Sequence, residues 1–226
     1  MTVARPYGDG CATAHAAELI GERWAPLVVR ELLLGPKRFG DIQRGLPKAS
    51  PNVLSQRLRE LESVDVVRRR LLGPPASTWV YELTDWGQEL EPIILSLARW
   101  AGRSPLLDRT AALSADSLML HMRAGYDAAG AVTPPGRYEI RLAQDHFTVD
   151  LQAGALAVHR TSAETPDAVL ETDTSTFTAL LRGELSLDDA TRQGLVSLDG
   201  DAAAIAALLQ ACMFTSIPTA TTEPPE

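Results

Sequence analysis

Residues 50–62, SPNVLSQRLRELE, constrain the fold most, because they predict a helix with one apolar and one polar face. Ser50 is a good N-cap, since its hydroxyl can accept a hydrogen bond from an amide of the first turn. Pro51 suits the first helical position, where its missing N–H costs nothing. Apolar residues recur at helical spacing and are expected to pack inward: Val53, Leu54, Leu58 and Leu61. The opposite face carries short or planar hydrogen-bonding side chains: Asn52, Ser55, Gln56 and Arg59.

The polar face of this helix has the residue types that read base edges in a major groove of DNA. Asn and Gln can pair with adenine, and Arg can pair with guanine. A solvated surface explains the same pattern when the helix is considered alone. The interpretation therefore depends on the flanking sequence.

A second short helix and a tight turn precede residue 50. Residues 38–42, RFGDI, begin the short helix, and residues 46–49, LPKA, form the turn. Two short helices joined in this way fit a helix-turn-helix motif. Arg38 and Ser50 therefore join the predicted DNA contacts.

Residues 64–83 predict a two-stranded hairpin directly after the helix. The first strand carries Arg68, Arg69 and Arg70, and residues 73–77, GPPAS, form the turn. Residues 78–83 are rich in β-branched and aromatic side chains, as strands are. A recognition helix followed by such a hairpin is a winged helix, whose arginines can lie along or in a minor groove. A charged edge strand that resists aggregation is the alternative, but the combination with the helix favours DNA binding, with Thr78 as a further contact.

The charge is spread unevenly along the 226 residues, whose formal net charge is −8. Residues 1–105 carry 14 basic and 12 acidic side chains, whereas residues 106–226 carry 7 basic and 17 acidic side chains. Residues 37–70 carry 9 basic and 4 acidic side chains, which gives this segment a net charge of +5. A basic island in an acidic protein is a plausible phosphate-facing surface.

Residues 84–102 predict one further helix with a wide apolar stripe at helical spacing: Leu90, Ile93, Ile94, Leu97 and Trp100. This stripe fits a dimer face, and core packing is the alternative.

In combination, these residues resemble the HxlR-type winged helix-turn-helix transcriptional regulators, relatives of the MarR group. The resemblance covers nearly all of residues 11–103. It rests on Cys11, ERW at 22–24, RF at 38–39 with Ile42, LP at 46–47, VLSQRLRELE at 53–62, VR at 67–68, YELT at 81–84, Gly87 and Trp100. Asp65 stands where the family usually has glycine. Because Asp tolerates the left-handed conformation, the turn is expected to persist.

The resemblance implies a homodimer that binds a palindromic operator in double-stranded DNA. The N-terminal helix and the helix at 86–102 would form the interface, and two recognition helices would enter successive major grooves. Some family members sense electrophiles or oxidants through a cysteine at the position of Cys11. A buried, inert thiol is the commoner case for a free cysteine.

The second half predicts an α+β domain. A helix at 114–128 precedes strands at 138–142, 147–151, 155–160 and 168–172, with residues 144–146 as a hairpin loop. These strands are expected to form an antiparallel meander. A helix ending at Gly183, a short helix at 187–190, a strand and turn at 194–201 and a helix at 202–214 are expected to follow.

The second half resembles a sterol-carrier-protein type 2 domain over roughly residues 113–214. The resemblance rests on LRG at 181–183, Ala190, Gly194 and LDGD at 198–201 before a helix. It implies an apolar tunnel for lipids or acyl chains, with these candidate lining residues: Met119, Met122, Tyr126, Phe147, Phe177, Leu181, Met213 and Phe214. Ordinary core packing is the alternative for each of them.

The sequence predicts no enzyme, no cofactor and no metal site. It has no P-loop, no GxGxxG, no GxSxG and no HExxH motif, and its four histidines are scattered. Cys11 and Cys212 do not make a disulfide framework. No apolar run reaches the roughly 18 residues of a membrane span, and no signal segment is evident, so a cytoplasmic protein is expected.

We therefore predict a dimeric transcriptional regulator, most simply a repressor, that responds to an apolar small molecule. The predicted domains are a winged helix-turn-helix at 1–105, a sterol-carrier-like α+β domain at 106–214 and a disordered tail at 215–226. One alternative is a thiol-based regulator that senses through Cys11. Another is a lipid carrier or enzyme accessory protein whose winged helix no longer binds DNA.

Overall fold

The computed structural model of the protein describes residues 7–126, 134–152 and 154–213. The N-terminal part has eight elements in the order of a winged helix-turn-helix, which confirms the predicted fold. They are α1 (Ala12–Ile20), α2 (Ala25–Leu32), α3 (Phe39–Gly45), α4 (Pro51–Ser63), β1 (Val67–Leu71), β2 (Trp79–Leu83), α5 (Asp85–Gln88) and α6 (Glu91–Gly102).

The predicted recognition helix is α4. Ser50 caps it, because the Ser50 hydroxyl accepts a hydrogen bond from the amide of Val53 at 3.4 Å. Its inward face is formed by Leu54, Leu58 and Leu61, which are fully or almost fully buried. After the helix, Asp65 takes the left-handed conformation that its position demands, with φ of 57°.

The single helix predicted at 84–102 is instead two helices, α5 and α6. Gly87 lies in α5 against the wing, where an added Cβ would come within 2.1 Å of the carbonyl oxygen of Val66. Pro92 stands in the first turn of α6 and favours a new helix start there. The close approach at Gly87 holds α5 in place, and the chain turns into α6 afterwards.

The C-terminal part is an α+β domain built around one five-stranded sheet, as predicted. Its elements are α7 (Ala115–Gly125), β3 (Gly136–Leu142), β4 (Asp145–Gln152), β5 (Ala155–His159), β6 (Ala168–Thr172), α8 (Thr174–Arg182), α9 (Leu187–Arg192), β7 (Ser197–Gly200) and α10 (Ala202–Ala211).

Two details of this sheet differ from the prediction. The strand order is β5-β4-β3-β6-β7, so β6 crosses over and pairs in parallel with β3, with Ile140 opposite Leu170. Only β3, β4 and β5 form the predicted meander. The β3–β4 loop is also shorter than expected, since Leu142 pairs with Asp145 and Ala143 takes a left-handed φ of 54°. Alternation of apolar residues predicts strands but carries no information on which strands pair.

One continuous cluster of buried apolar residues runs from the winged helix into the C-terminal part. Helices α6 and α7 pack against each other, and α2 also contacts α7. The backbone is joined directly as well, since the amide of Arg160 donates to the carbonyl oxygen of Leu34 at 3.0 Å. None of the described helices has the length and apolar character that crossing a membrane requires.

Candidate nucleic-acid interface

The outer face of α4 presents the predicted base-reading side chains. Asn52, Gln56 and Arg59 are exposed, and Ser55 is half-buried. The Gln56 amide donates to Oε1 of Glu60 at 2.9 Å, an interaction that DNA would have to replace. The face is therefore accessible along its length.

The wing splits the arginine triplet between its two faces. Arg68 and Arg70 lie on one face and share the carboxylate of Glu82, which stands opposite Arg68 in the strand register. Arg68 Nε is 2.7 Å from Oε1 of Glu82, and Arg70 Nη2 is 2.8 Å from Oε2. The hydrogen bond from Arg70, together with that from Arg68, lowers the pKa of Glu82 although burial opposes its ionisation. Glu82 thus offsets part of the positive charge of this face.

Arg69 lies on the other face of the wing and contacts aromatic rings instead. Its guanidinium carbon is 4.5 Å from the centre of the Trp79 ring and 5.9 Å from that of Tyr81. These contacts fix the direction of a long, exposed side chain. Sequence reasoning missed both Glu82 and Trp79, although counting the hairpin outward from its turn would have paired Arg68 with Glu82.

The basic surface predicted from residues 37–70 presents fewer cationic side chains to solvent than the sequence count indicates. Lys37 is buried and points away from the surface. Arg57 is largely buried and pairs with Glu60 and Glu22. Arg38 and Lys48 are exposed beside α3 and α4, and Thr78 is half-buried at the base of the wing turn. The cationic surface therefore depends on Arg38, Lys48, Arg59 and the wing.

Lys37 joins the winged helix to the C-terminal part through a buried ion network. Its Nζ donates to Oε2 of Glu31 at 2.7 Å and to Oδ2 of Asp116 at 2.6 Å. All three side chains are almost completely buried. Lys37 and Asp116 are 79 positions apart, so no spacing in the sequence indicates the contact.

Arg160 completes the network from the sheet. Its Nη2 is 2.5 Å from Oδ2 of Asp116, and its Nη1 is 2.6 Å from Oδ1 of Asp145. Burial disfavours ionisation of Asp116, but the charge of Lys37 and the hydrogen bond from Arg160 prevail, and the pKa of Asp116 is lowered. The network holds the two parts of the chain in a set orientation.

Most of the residues that were predicted to line an apolar tunnel lie in the packed hydrophobic core. Five of them are completely buried: Met119, Met122, Phe147, Phe177 and Leu181. Tyr126 is half-buried, and Met213 is partly exposed. Phe214 lies outside the described residues.

A cavity of about 350 Å³ lies elsewhere, where α6 meets the C-terminal part. Its apolar lining comes from Ala98, Gly102, Leu107, Ala111, Leu113, Ala124, Gly125 and Met213. Its polar lining comes from Arg99, Arg103, Asp108, Arg109, His121 and Arg182. Of the predicted lining residues, Met213 borders this cavity.

The two cysteines have opposite environments. Cys11 is exposed at the N-cap of α1, where hydrogen bonds from the backbone of Thr13 and Ala14 lower its pKa. Cys212 is buried, and burial raises its pKa to about 12. Of the two, Cys11 has the features of a reactive thiol.

The apolar stripe of α6 divides between core and surface. Leu90 is half-buried and Ile94 is buried, whereas Ile93, Leu97 and Trp100 are exposed. Helix α1, which is rich in alanine, contains no buried residue. The single chain thus leaves apolar surface uncovered on both helices.

Comparison with known proteins matches each half of the chain to a family. Residues 19–105 match the HxlR-like helix-turn-helix family, and residues 127–212 match the SCP-2 sterol transfer family. The transcriptional regulator YvaP of Bacillus subtilis is 41% identical over 86 residues, which are 38% of this chain and 80% of YvaP. YodB of the same species is 36% identical, over 38% of this chain and 77% of YodB. The structure of reduced YodB has 33% identity and a TM-score of 0.38, over 42% of this chain and 95% of YodB.

Proposed function

The chain belongs to the HxlR-like helix-turn-helix family of transcriptional regulators, and we propose that it binds a palindromic operator as a homodimer. The outward row of Asn52, Gln56 and Arg59 on α4, beside a cationic wing, is the observation that carries this proposal. The amides and the guanidinium suit base edges. Arg38, Ser50, Ser55 and Thr78 flank this row and would serve phosphates or bases at its margins.

The wing adds contacts of a different kind. Arg69 is directed by Trp79, and Arg68 and Arg70 stand beside it on the opposite face of the hairpin. In this proposal the three arginines contact phosphates or a minor groove and supply affinity, whereas α4 supplies sequence preference.

The homodimer is supported by the uncovered apolar surface of α1 and α6. Ile93, Leu97 and Trp100 recur along one side of α6 and are each at least 46% exposed in the single chain. A second copy that covers them would place two α4 helices at a defined distance, as a palindrome requires.

We further propose that a small molecule bound within the C-terminal part controls operator binding, most simply by releasing a repressor. A shift of α6 would change the spacing of the two α4 helices. Such a ligand must bind the two conformations with different affinities to have this effect.

Fluorescence anisotropy tests the DNA-binding proposal. The protein is titrated at two salt concentrations into a labelled duplex from upstream of its own gene and, for comparison, into a scrambled duplex. If that region lacks a site, selection from random duplexes supplies one. We expect tight, salt-sensitive binding with a preference for one sequence. Arg59→Ala should lose about 1–3 kcal/mol of binding free energy and relax the preference at one base pair.

Arg192→Ala is the matched control, because Arg192 is an exposed arginine of α9 in the C-terminal part. It should leave operator binding unchanged. If Arg59→Ala bound like the control, with the same sequence preference, the assignment of α4 would be wrong. A protein without any preferred site would instead favour the lipid-carrier alternative.

A second candidate function is thiol sensing through Cys11. It is favoured by the exposure of Cys11 and by its lowered pKa at the start of α1, next to the proposed dimer surface. Diamide or a quinone should then weaken operator binding by the wild-type protein but not by Cys11→Ser. A Cys11→Ser protein that still responds would eliminate this candidate.

A further inference from the structure

The cavity beside α6 has the size and position of a ligand site. Its volume of about 350 Å³ falls in the range of about 300–1,000 Å³ that is usual for small-molecule pockets. It is bounded by α6, by the connection at 103–113, by α7 and by the end of α8. It is separate from the interior of the C-terminal part, where five of the predicted lining residues are completely buried.

Much of the cavity lining is apolar. Leu107, Leu113 and Met213 contribute the larger side chains, and Ala98 and Ala124 keep the space between α6 and α7 open. An apolar group placed there would be removed from water on several sides.

The polar part of the lining is mainly cationic. Four arginines line the cavity, namely Arg99, Arg103, Arg109 and Arg182, against one acidic residue, Asp108. Among the described residues, none of these four forms an ion pair; Arg99 bonds to the hydroxyl of Ser96, and Arg109 bonds to the carbonyl of Gly102. Arg99 and Arg103 come from α6 and its C-terminal end, whereas Arg109 and Arg182 come from the acidic region after residue 105, which has 17 acidic and 7 basic residues.

The acidic residue in the lining, Asp108, forms no ion pair with these arginines among the described residues. Both the amide and the hydroxyl of Thr110 donate to Oδ1 of Asp108, at 2.9 and 2.6 Å. His121 adds no further positive charge near neutral pH, because burial and the charges of Arg182, Arg30 and Arg109 lower its pKa. The cavity therefore combines apolar lining residues with guanidinium groups that have no carboxylate partner in the part of the chain that the structure describes.

We propose that this cavity binds an amphipathic carboxylate, with its apolar body between α6 and α7 and its carboxylate among the arginines. Guanidinium groups bind carboxylates through paired, charge-assisted hydrogen bonds. Linking this ligand to transcription depends on the proposed function, in which an effector controls operator binding.

The position of the cavity provides a route from ligand to DNA. Ala98 and Gly102 of α6 line it, while Leu97 and Trp100 of the same helix face outward. A molecule inserted between α6 and α7 displaces the helix that carries the proposed dimer surface. The distance between the two recognition helices then changes without any contact between ligand and DNA.

Calorimetric titration of the full chain with decanoate tests the site in the absence of DNA, with decanol as the neutral analogue. We expect decanoate to bind at one site per chain and decanol to bind at least about tenfold more weakly. Arg182→Gln and Arg103→Gln should each weaken decanoate binding by about tenfold. Ala124→Trp, which fills the space between the helices, should abolish it.

Arg192→Gln is the control, because it removes one arginine of the C-terminal part that lies outside the cavity. Circular dichroism establishes whether each variant is folded. If Ala124→Trp does not fold, the comparison of Arg182→Gln and Arg103→Gln with the control still tests the site. The assignment is overturned if decanoate does not bind, if decanol binds equally well, or if neither arginine variant differs from the control.

Adding operator DNA separates this inference from the proposed function. If decanoate binds as described but leaves operator affinity unchanged, the cavity assignment stands and the effector proposal fails. If decanoate alters operator affinity equally in the wild-type and cavity variants, an effector site exists elsewhere and the cavity assignment is wrong.

Discussion

Nζ of Lys37 lies 2.6 Å from Oδ2 of Asp116, in a buried contact that joins the winged helix to the C-terminal part. The backbone of Lys37 also pairs with that of Tyr81 in the wing, through hydrogen bonds of 2.9 and 2.8 Å. One residue thus connects the wing to α7.

Loss of the Asp116 carboxylate is expected to destabilise the protein strongly. Asp116→Asn leaves Lys37 and Arg160 buried with fewer anionic partners, which should cost about 3 kcal/mol or more of the free energy of unfolding. Urea denaturation measures this cost. Asp41→Asn is the matched control, because Asp41 pairs with Arg44 near the surface and should change stability by at most about 0.5 kcal/mol. Equal effects of the two substitutions would contradict the importance of the network.

The contribution of Asp116 should also depend on pH. Its pKa in the folded protein is lowered from the unfolded value of about 3.9, so the unfolded state takes up the proton first as the pH falls. The stabilisation is therefore complete above about pH 4 and is lost as the pH falls through the folded pKa. Below that range the wild type and Asp116→Asn should unfold at similar urea concentrations. A stability difference that persists undiminished in acid would contradict this assignment.

Removal of Glu82 is expected to strengthen non-specific DNA binding. Glu82→Gln releases Arg68 and Arg70 from their shared carboxylate, so the slope of log affinity against log salt should steepen by about 1–2. Anisotropy titrations with a scrambled duplex over several salt concentrations measure the slope. Glu89→Gln makes the same charge change at an exposed position outside the wing. Weaker binding by Glu82→Gln with an unchanged slope would mean that Glu82 positions the arginines for DNA.

A charge on the outer face of α6 should separate the proposed dimer. Leu97→Glu would place a carboxylate against the apolar surface of the second copy, which should weaken self-association by at least about tenfold. Sedimentation equilibrium measures the association constant. Leu195→Glu is the control, because Leu195 is 42% exposed and Leu97 is 46% exposed, and Leu195 lies outside the proposed interface. A Leu97→Glu protein that associates like the control would place the interface elsewhere.

The two thiols should differ greatly in reactivity. Cys11 is exposed and its pKa is lowered by the amides of α1, so iodoacetamide should modify it quickly, at a rate that rises as the pH passes its pKa. Cys212 is buried with a pKa of about 12, so it should react only when the protein unfolds. Mass spectrometry after short labelling follows both. Comparable labelling of the two thiols in the folded protein would contradict these environments.

Local features could be predicted from sequence wherever the cause is local. The N-cap at Ser50, the apolar spacing of Leu54, Leu58 and Leu61, and the left-handed turn at Asp65 each depend on a few neighbouring residues. The order of helices and strands in both parts follows from the same short-range patterns, and the family resemblances agree with it.

The tertiary structure alone decided which residues meet. It placed Lys37 in the interior rather than on the basic surface, and it paired β6 in parallel with β3. It also placed an arginine-lined cavity beside α6, away from the core side chains that sequence reasoning selected. The spacing of apolar residues predicts which side of a helix or strand is buried. Which other helix or strand packs against that side depends on packing and electrostatics between residues far apart in the chain, and local sequence patterns do not contain this information.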